Sequence, residues 1–335
     1  ALSLFLVAHS ARVAGAELIE VKKIWDQAPH NAFTGLVKWN GAWYCVFREG
    51  SGHIPGVDGK IRVLRSADGE KWESAALIAE KPVDLRDPKI CVAPDERLMI
   101  VMGGSIYAGA EPTPGRMFKD AHSRVSFSKD GGQWSTPQPV EGIGDQQWLW
   151  RVTWHKGVGY GAVYATKVKG SKQIALTIWK TTDGVKYEKI AEPTPTCNPS
   201  EATIRFLADD TMIVLVRGEQ NDRRDSIGTS KPPYDKWEWK DAGRMAHGPD
   251  FVVTANGTMF YAGRDFDEKG AARTVFGRMT TEKLEPLVTL PSGGDTSYPG
   301  IVDEGGGVFR ISYYSSHEGK TAIYLAKVKV NADGR

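Results

Sequence analysis

Short apolar runs recur along the chain, at 42–47, 98–102, 212–216 and 258–262, and none extends into a sustained helical period. Turn-forming pairs precede three of them: Asn40-Gly41, Asp209-Asp210 and Asn256-Gly257. Gly accepts positive φ, and Asn or Asp bonds its own nearby backbone, so such pairs close hairpins. The pattern predicts strands joined by tight turns, an all-β chain.

Three further runs, 61–64, 123–127 and 174–179, each lead into one repeated turn. Its copies are Ser66-Ala67-Asp68-Gly69-Glu70-Lys71-Trp72, Ser128-Lys129-Asp130-Gly131-Gly132-Gln133-Trp134 and Thr181-Thr182-Asp183-Gly184-Val185-Lys186-Tyr187. A decayed fourth copy spans 230–237, where only the ends fit. Asp-Gly closes the turn, the leading hydroxyl adds a bond, and the aromatic packs back over it. The copies recur roughly every 50–60 residues, the length of a propeller blade. At about 50 residues per blade, residues 17–335 make six blades in a single domain, with no linker dividing them.

Composition narrows the class. The 335 residues include 37 Gly, 11 Trp and 11 Tyr, a turn-rich aromatic makeup that suits β-structure. The rings fit either core packing or the faces of sugars. The formal net charge is +2 without a basic cluster, which argues against a nucleic-acid partner. Cys45, Cys91 and Cys197 are isolated, and the apolar runs around Cys45 and Cys91 predict burial. No zinc or EF-hand spacing is present, so neither a metal nor a cofactor is expected. Oligomeric state is left open.

The first eight residues read ALSLFLVA, a predominantly apolar stretch, and Ala14-Gly15-Ala16 follows as a small-residue site. This predicts the remnant of a secretory signal at 1–16 and a secreted or periplasmic protein from Glu17 onward. No segment reaches the roughly 20 apolar residues of a membrane span.

The repeated turns resemble the Asp-boxes (BNR repeats) of the sialidase, or neuraminidase, superfamily, and the resemblance covers nearly all of 17–335. It implies a six-bladed β-propeller with Asp-box turns, and it implies site residues one at a time. Asp58, eight residues before Ser66, matches the family's acid/base aspartate; taken alone it is also an ordinary turn residue beside Gly59. Glu201 in Asn198-Pro199-Ser200-Glu201, followed by Arg217 in Val216-Arg217-Gly218, matches the catalytic glutamate and one arginine. Arg264, in Gly263-Arg264-Asp265, matches another arginine. Tyr298, in Asp295-Thr296-Ser297-Tyr298-Pro299, matches the catalytic tyrosine; by itself it reads equally as a strand-edge aromatic. Arg48 matches a further active-site arginine, and Arg86 and Asp87 open an inner strand toward the channel. His30 and His53 flank the region, as surface groups or as catalytic ones.

These residue types suit sialic acid, whose anomeric carbon carries a carboxylate. A carboxylate nucleophile is repelled there, so the family uses a tyrosine activated by a glutamate, with arginines holding the substrate carboxylate. The chain departs from the family at Thr34, which stands where the first of three arginines is expected. The resemblance therefore implies a retaining, sialidase-like exo-glycoside hydrolase for terminal acidic sugars, sialic acid or a related one. In it Asp58 is the acid/base, Tyr298 and Glu201 the nucleophile couple, and Arg48, Arg86, Asp87, Arg217, Arg264, His30 and His53 the substrate-binding set. Two alternatives stay open: a propeller glycosidase or lyase on uronate-containing glycans with His30 or His53 as acid/base, and a non-catalytic glycan-binding propeller. The partner in every case is a glycan or glycoconjugate.

Overall fold

The computed structural model describes residues 15–53, 56–109, 111, 116–166, 172–219 and 224–331. Residues 1–14, which hold most of the predicted signal remnant, lie outside them. The described residues form strands and turns without a helix, so none is available to cross a membrane.

The strands assemble into six four-stranded antiparallel sheets, the blades of a six-bladed β-propeller. The opening strand is β1 (Ala16–Trp25). The first blade is β2 (His30–Trp39), β3 (Ala42–Gly50), β4 (Lys60–Ser66) and β5 (Glu73–Ile78). The second is β6 (Asp84–Val92), β7 (Leu98–Ala108), β8 (Met117–Ser128) and β9 (Gln138–Pro139). The third is β10 (Trp148–His155), β11 (Val158–Thr166), β12 (Ile174–Thr181) and β13 (Glu188–Ala191). The fourth is β14 (Asn198–Phe206), β15 (Met212–Glu219), β16 (Ser226–Ser230) and β17 (Glu238–Asp241). The fifth is β18 (His247–Val253), β19 (Met259–Phe266), β20 (Ala272–Met279) and β21 (Leu284–Leu290). The sixth is β22 (Thr296–Gly305), β23 (Val308–Ser315) and β24 (Ala322–Val330), and β1 completes it by pairing antiparallel with β24. That pairing joins the first and last described strands and closes the ring. β1 starts at Ala16, buried and opposite Val330, one residue ahead of the predicted start at Glu17.

Six buried apolar clusters among the described residues hold the ring together, five between neighbouring blades and one joining the first and sixth blades with Trp150 of the third. Phe260 and Phe276 of the fifth blade meet Phe309 of the sixth, with centroids 4.7 and 5.2 Å away. Fully burying one such side chain stabilises the fold by about 1.5–3 kcal/mol.

The repeated turns join third to fourth strands and share one hydrogen-bond pattern. Ser66 Oγ accepts from Gly69 N at 2.8 Å, Asp68 Oδ1 accepts from Glu70 N and Lys71 N at 2.8 and 2.9 Å, and Trp72 Nε1 donates to Gly69 O at 3.3 Å. The copies at 128–134 and 181–187 repeat the hydroxyl and carboxylate bonds. In the decayed copy Tyr234 takes the place of the glycine, with φ 70°, and Trp237 Nε1 still donates to its carbonyl at 3.0 Å. Inner strands start on the opposite face of the ring, because each blade runs up and down. The turns are therefore remote from the site described next.

Candidate active site

Near its start every inner strand carries a bulge at the same register. Two residues oppose one on the second strand at 33–34, 87–88, 150–151, 200–201, 248–249 and 298–299. A bulge bends its strand and re-aims side chains. Phe33, Asp87, Gly248 and Tyr298 stand first in four of these bulges, with φ of 67, 49, 65 and 51°. Left-handed backbone is uncommon for Phe, Asp or Tyr and concentrates at functional sites. Gly248 suits its place because a Cβ there would lie 2.7 Å from the Tyr298 ring.

Tyr298, on the inner strand of the sixth blade, and Glu201, on that of the fourth, meet directly. The Tyr298 hydroxyl donates to Glu201 Oε1 at 2.5 Å. Arg217 Nη1, from the end of β15, donates to Glu201 Oε2 and to the Tyr298 oxygen, both at 2.9 Å. Gly248 N donates to the same Oε2 at 3.0 Å. Burial pushes Glu201 up, but Arg217 and the bond from Tyr298 outweigh it, so the carboxyl is held below its ordinary range. Burial and the Glu201 charge push the phenol upward. The pair is thus a phenol facing an ionised carboxylate, the arrangement in which a tyrosine oxygen gains nucleophilicity as its proton leaves.

A polar chain continues from this pair along the mouth. Arg264, at the end of β19, lies with its guanidinium 5.3 Å from the Tyr298 ring and donates to Thr296 O at 2.9 Å and Tyr314 Oη at 3.3 Å. The Tyr314 hydroxyl donates to Asp295 Oδ1 at 2.9 Å. Asp295 Oδ2 meets His30 Nε2 at 2.9 Å and His53 Nδ1 at 2.7 Å. Burial opposes ionisation of Asp295, yet the two histidines and Tyr314 hold its carboxyl well below the usual range. His30 is buried and its pKa is lowered, chiefly by that burial, whereas His53 is about half exposed.

Thr34 does not face this mouth. Its side chain is fully buried beneath the site, donating to Tyr298 O at 2.9 Å and lying 2.8 Å from Ser312 Oγ. The left-handed turn at Phe33 brings the phenyl ring beside the site instead, 5.2 Å from the Tyr298 ring. Below Tyr298 sits Lys89, 1% exposed, whose ammonium donates to Thr34 O at 3.0 Å. It lies 4.7 Å from the Trp150 ring and 5.6 Å from that of Tyr298. Burial, with Arg151 adding to it, brings its pKa down to about 7.

The remaining sequence-derived candidates divide. Asp87 projects from its bulge among Arg86, Lys89 and Glu201, and burial raises its pKa. Arg86 covers the Phe33 ring at 5.4 Å and donates to His53 O at 3.1 Å. Arg48 is placed differently from the expectation: it is fully buried, with Nε on Asp84 at 2.8 Å and Nη1 on Gly52 O at 2.9 Å. Its guanidinium ties the β3–β4 loop to the second blade. Asp58 lies on that same loop, paired with Arg116, while its N–H donates to Glu111 Oε1 at 2.6 Å. Burial and Glu111 raise the Asp58 pKa, and Arg116 opposes the rise. Among the described residues no side-chain contact joins Asp58 to the Tyr298 group.

Sequence reasoning did not single out Asp295, Tyr314, Phe33, Lys89, Glu111 or Arg116. Asp295 was within reach, three residues before Tyr298 in the same segment. The others act through packing or pairing that no local spacing announces.

No protein-family model matches the chain, and no curated protein sequence does so either. Solved structures do share the fold. A protein of unknown function from Dyadobacter fermentans superposes with a TM-score of 0.81 at 17% identity, covering 95% of this chain and 100% of that one. Trypanosoma rangeli sialidase, in complex with the inhibitor DANA, gives 0.71 at 12% identity over 90% of this chain and 55% of the sialidase. An α-L-arabinofuranosidase of Fusarium graminearum gives 0.67 at 14% identity, over 93% and 98% of the two chains. The chain thus spans about half the length of the trypanosomal sialidase and all of the Dyadobacter protein. At these identities the likeness establishes the propeller fold.

Proposed function

We propose that the protein is a retaining exo-glycoside hydrolase acting on terminal acidic sugars, sialic acid or a related one. The observation that carries this reading is the 2.5 Å bond from the Tyr298 hydroxyl to Glu201, with Arg217 on both partners. A glycosidase that meets an anomeric carboxylate needs a neutral nucleophile, and this pair supplies one. Sialidases among the structural neighbours share the propeller on which it stands.

In the first step the Tyr298 oxygen bonds to the anomeric carbon and its proton passes to Glu201. The bond to the leaving oxygen breaks as Asp58, whose pKa burial raises, donates a proton to it. Water then attacks the same carbon, losing a proton to Asp58. The bond to Tyr298 breaks, and Glu201 returns the phenolic proton. Arg217 already donates to the oxygen that gains charge when Tyr298 leaves, which makes it a preorganised stabiliser. With Phe33 beside Tyr298 and Thr34 buried, Arg264 and Arg217 remain for the substrate carboxylate, so its hold is weaker than with three arginines.

A second reading, a uronate-directed glycosidase or lyase with a histidine acid/base, is favoured by one observation: His53 stands half exposed on Asp295. Release of a fluorogenic sialoside or uronide separates the two. Loss of hydrolysis in Tyr298→Phe supports the first reading. Activity on uronides that survives Tyr298→Phe but not His53→Ala overturns it in favour of the second.

A further inference from the structure

We propose that His30, His53 and Asp295 form a binding site for a divalent transition-metal ion of the zinc or cobalt type at the mouth of the propeller. The three side chains come from separate segments: the start of β2, the β3–β4 loop and the segment leading into β22. His30 Nε2, His53 Nδ1 and Asp295 Oδ2 all lie within 4.8 Å of one another, the two nitrogens 2.9 and 2.7 Å from the oxygen. An ion with bonds of roughly 2.0–2.2 Å is reached from all three by small shifts.

The donor set has the right chemistry. Two imidazoles and one carboxylate match zinc, cobalt or another first-row ion, whereas calcium and magnesium select oxygen donors. The carboxylate is supported from behind, as ligating carboxylates are: Asp295 Oδ1 accepts from Tyr314 Oη at 2.9 Å, and its backbone N–H donates to Ser316 Oγ at 2.8 Å. This leaves Oδ2 for the ion. Packing fixes the rings as well, since His30 and His53 both lie against Phe33, with centroids 6.3 and 5.2 Å away. His53 is 47% and Asp295 29% exposed on the side chain, so the outer face is open. Three protein ligands with one open position is the pattern of catalytic zinc sites, and the open position faces the mouth, where a water or a substrate oxygen binds.

Chain spacing could not reveal this set, because Asp295 lies 265 and 242 residues from the two histidines. The proposal shares its mouth with the glycosidase reading but does not depend on it.

Metal-stripped protein is titrated with Zn²⁺ by calorimetry and with Co²⁺ by visible absorption. The expected result is one ion per chain, with His53→Ala and Asp295→Asn each weakening uptake by about a hundredfold or more. Tyr298→Phe and Glu201→Gln leave uptake unchanged whatever they do to hydrolysis, so the two proposals fail separately. His122→Ala, in the separate grouping of His122 with Asp120 and Asp145, also leaves it unchanged. No uptake by the wild type, or uptake lost in His122→Ala and kept in His53→Ala, overturns the site. His53 sits half exposed on a loop, so its alanine variant folds, and a circular dichroism melt verifies this.

Discussion

Tyr298 and Glu201 approach from inner strands of the sixth and fourth blades, the Tyr298 hydroxyl donating to the carboxylate at 2.5 Å with one arginine nitrogen on both. Glu201→Gln keeps the shape and removes the proton acceptor. It is expected to lower kcat/KM by roughly 10²–10⁴-fold, the usual range for a catalytic base. Melting curves run in parallel separate this from unfolding, and an unaltered rate with a native melt would remove Glu201 from the chemistry.

The Asp58–Arg116 pair sets a direction for pH dependence. Asp58 must hold its proton to act as an acid, so activity falls as pH rises through its raised pKa. Arg116 holds that value down. Arg116→Gln is therefore expected to move the alkaline limb of kcat/KM upward, and Asp58→Asn to abolish the limb together with most of the rate. A limb that stays in place in both variants assigns the proton elsewhere.

Lys89 gives a stability signature. Its pKa falls from an ordinary 10.5 to about 7 in the fold. Between those values the unfolded chain binds more protons, so stability rises with pH across that window, and the penalty is complete below about 7. Lys89→Met removes the buried charge at similar volume. The variant is expected to melt higher than the wild type at neutral pH, with the difference fading toward pH 10.5. A variant that melts lower throughout would show that the bond to Thr34 O outweighs the cost of burial.

Thr34 separates position in the chain from position in space. Alignment to the family's first arginine suggests that Thr34→Arg improves binding of acidic sugars. The structure predicts the reverse, because Thr34 is fully buried under Tyr298 and an arginine there becomes an unpaired internal charge costing several kcal/mol. Yield of soluble, cooperatively melting protein decides between them.

Much of the fold is legible in the sequence because its signals are local. The turns at 66–72, 128–134 and 181–187 carry their own hydrogen bonds, and second strands such as β7 and β15 are plain apolar runs. Inner strands are harder to read: their bulges break the alternation, and Pro88, Pro249 and Pro299 stand where strand patterns disfavour proline. The site inherits that difficulty. Glu201, Arg217, Arg264 and Tyr298 were reachable through family motifs, and the structure brings them together. Arg48 has the motif, and the structure shows its side chain buried on Asp84, which the motif does not announce. Lys89 and the Asp295 cluster depend on folding across the ring, which no spacing encodes.

The most direct test is covalent trapping at Tyr298. Fluorinated sialosyl and uronosyl fluorides slow the second step, so a retaining enzyme accumulates its intermediate, which peptide mass spectrometry then locates. The account predicts one sugar adduct on the peptide containing Tyr298, absent from Tyr298→Phe. Turnover without an adduct, or an adduct on Glu201 or Asp58, would contradict it.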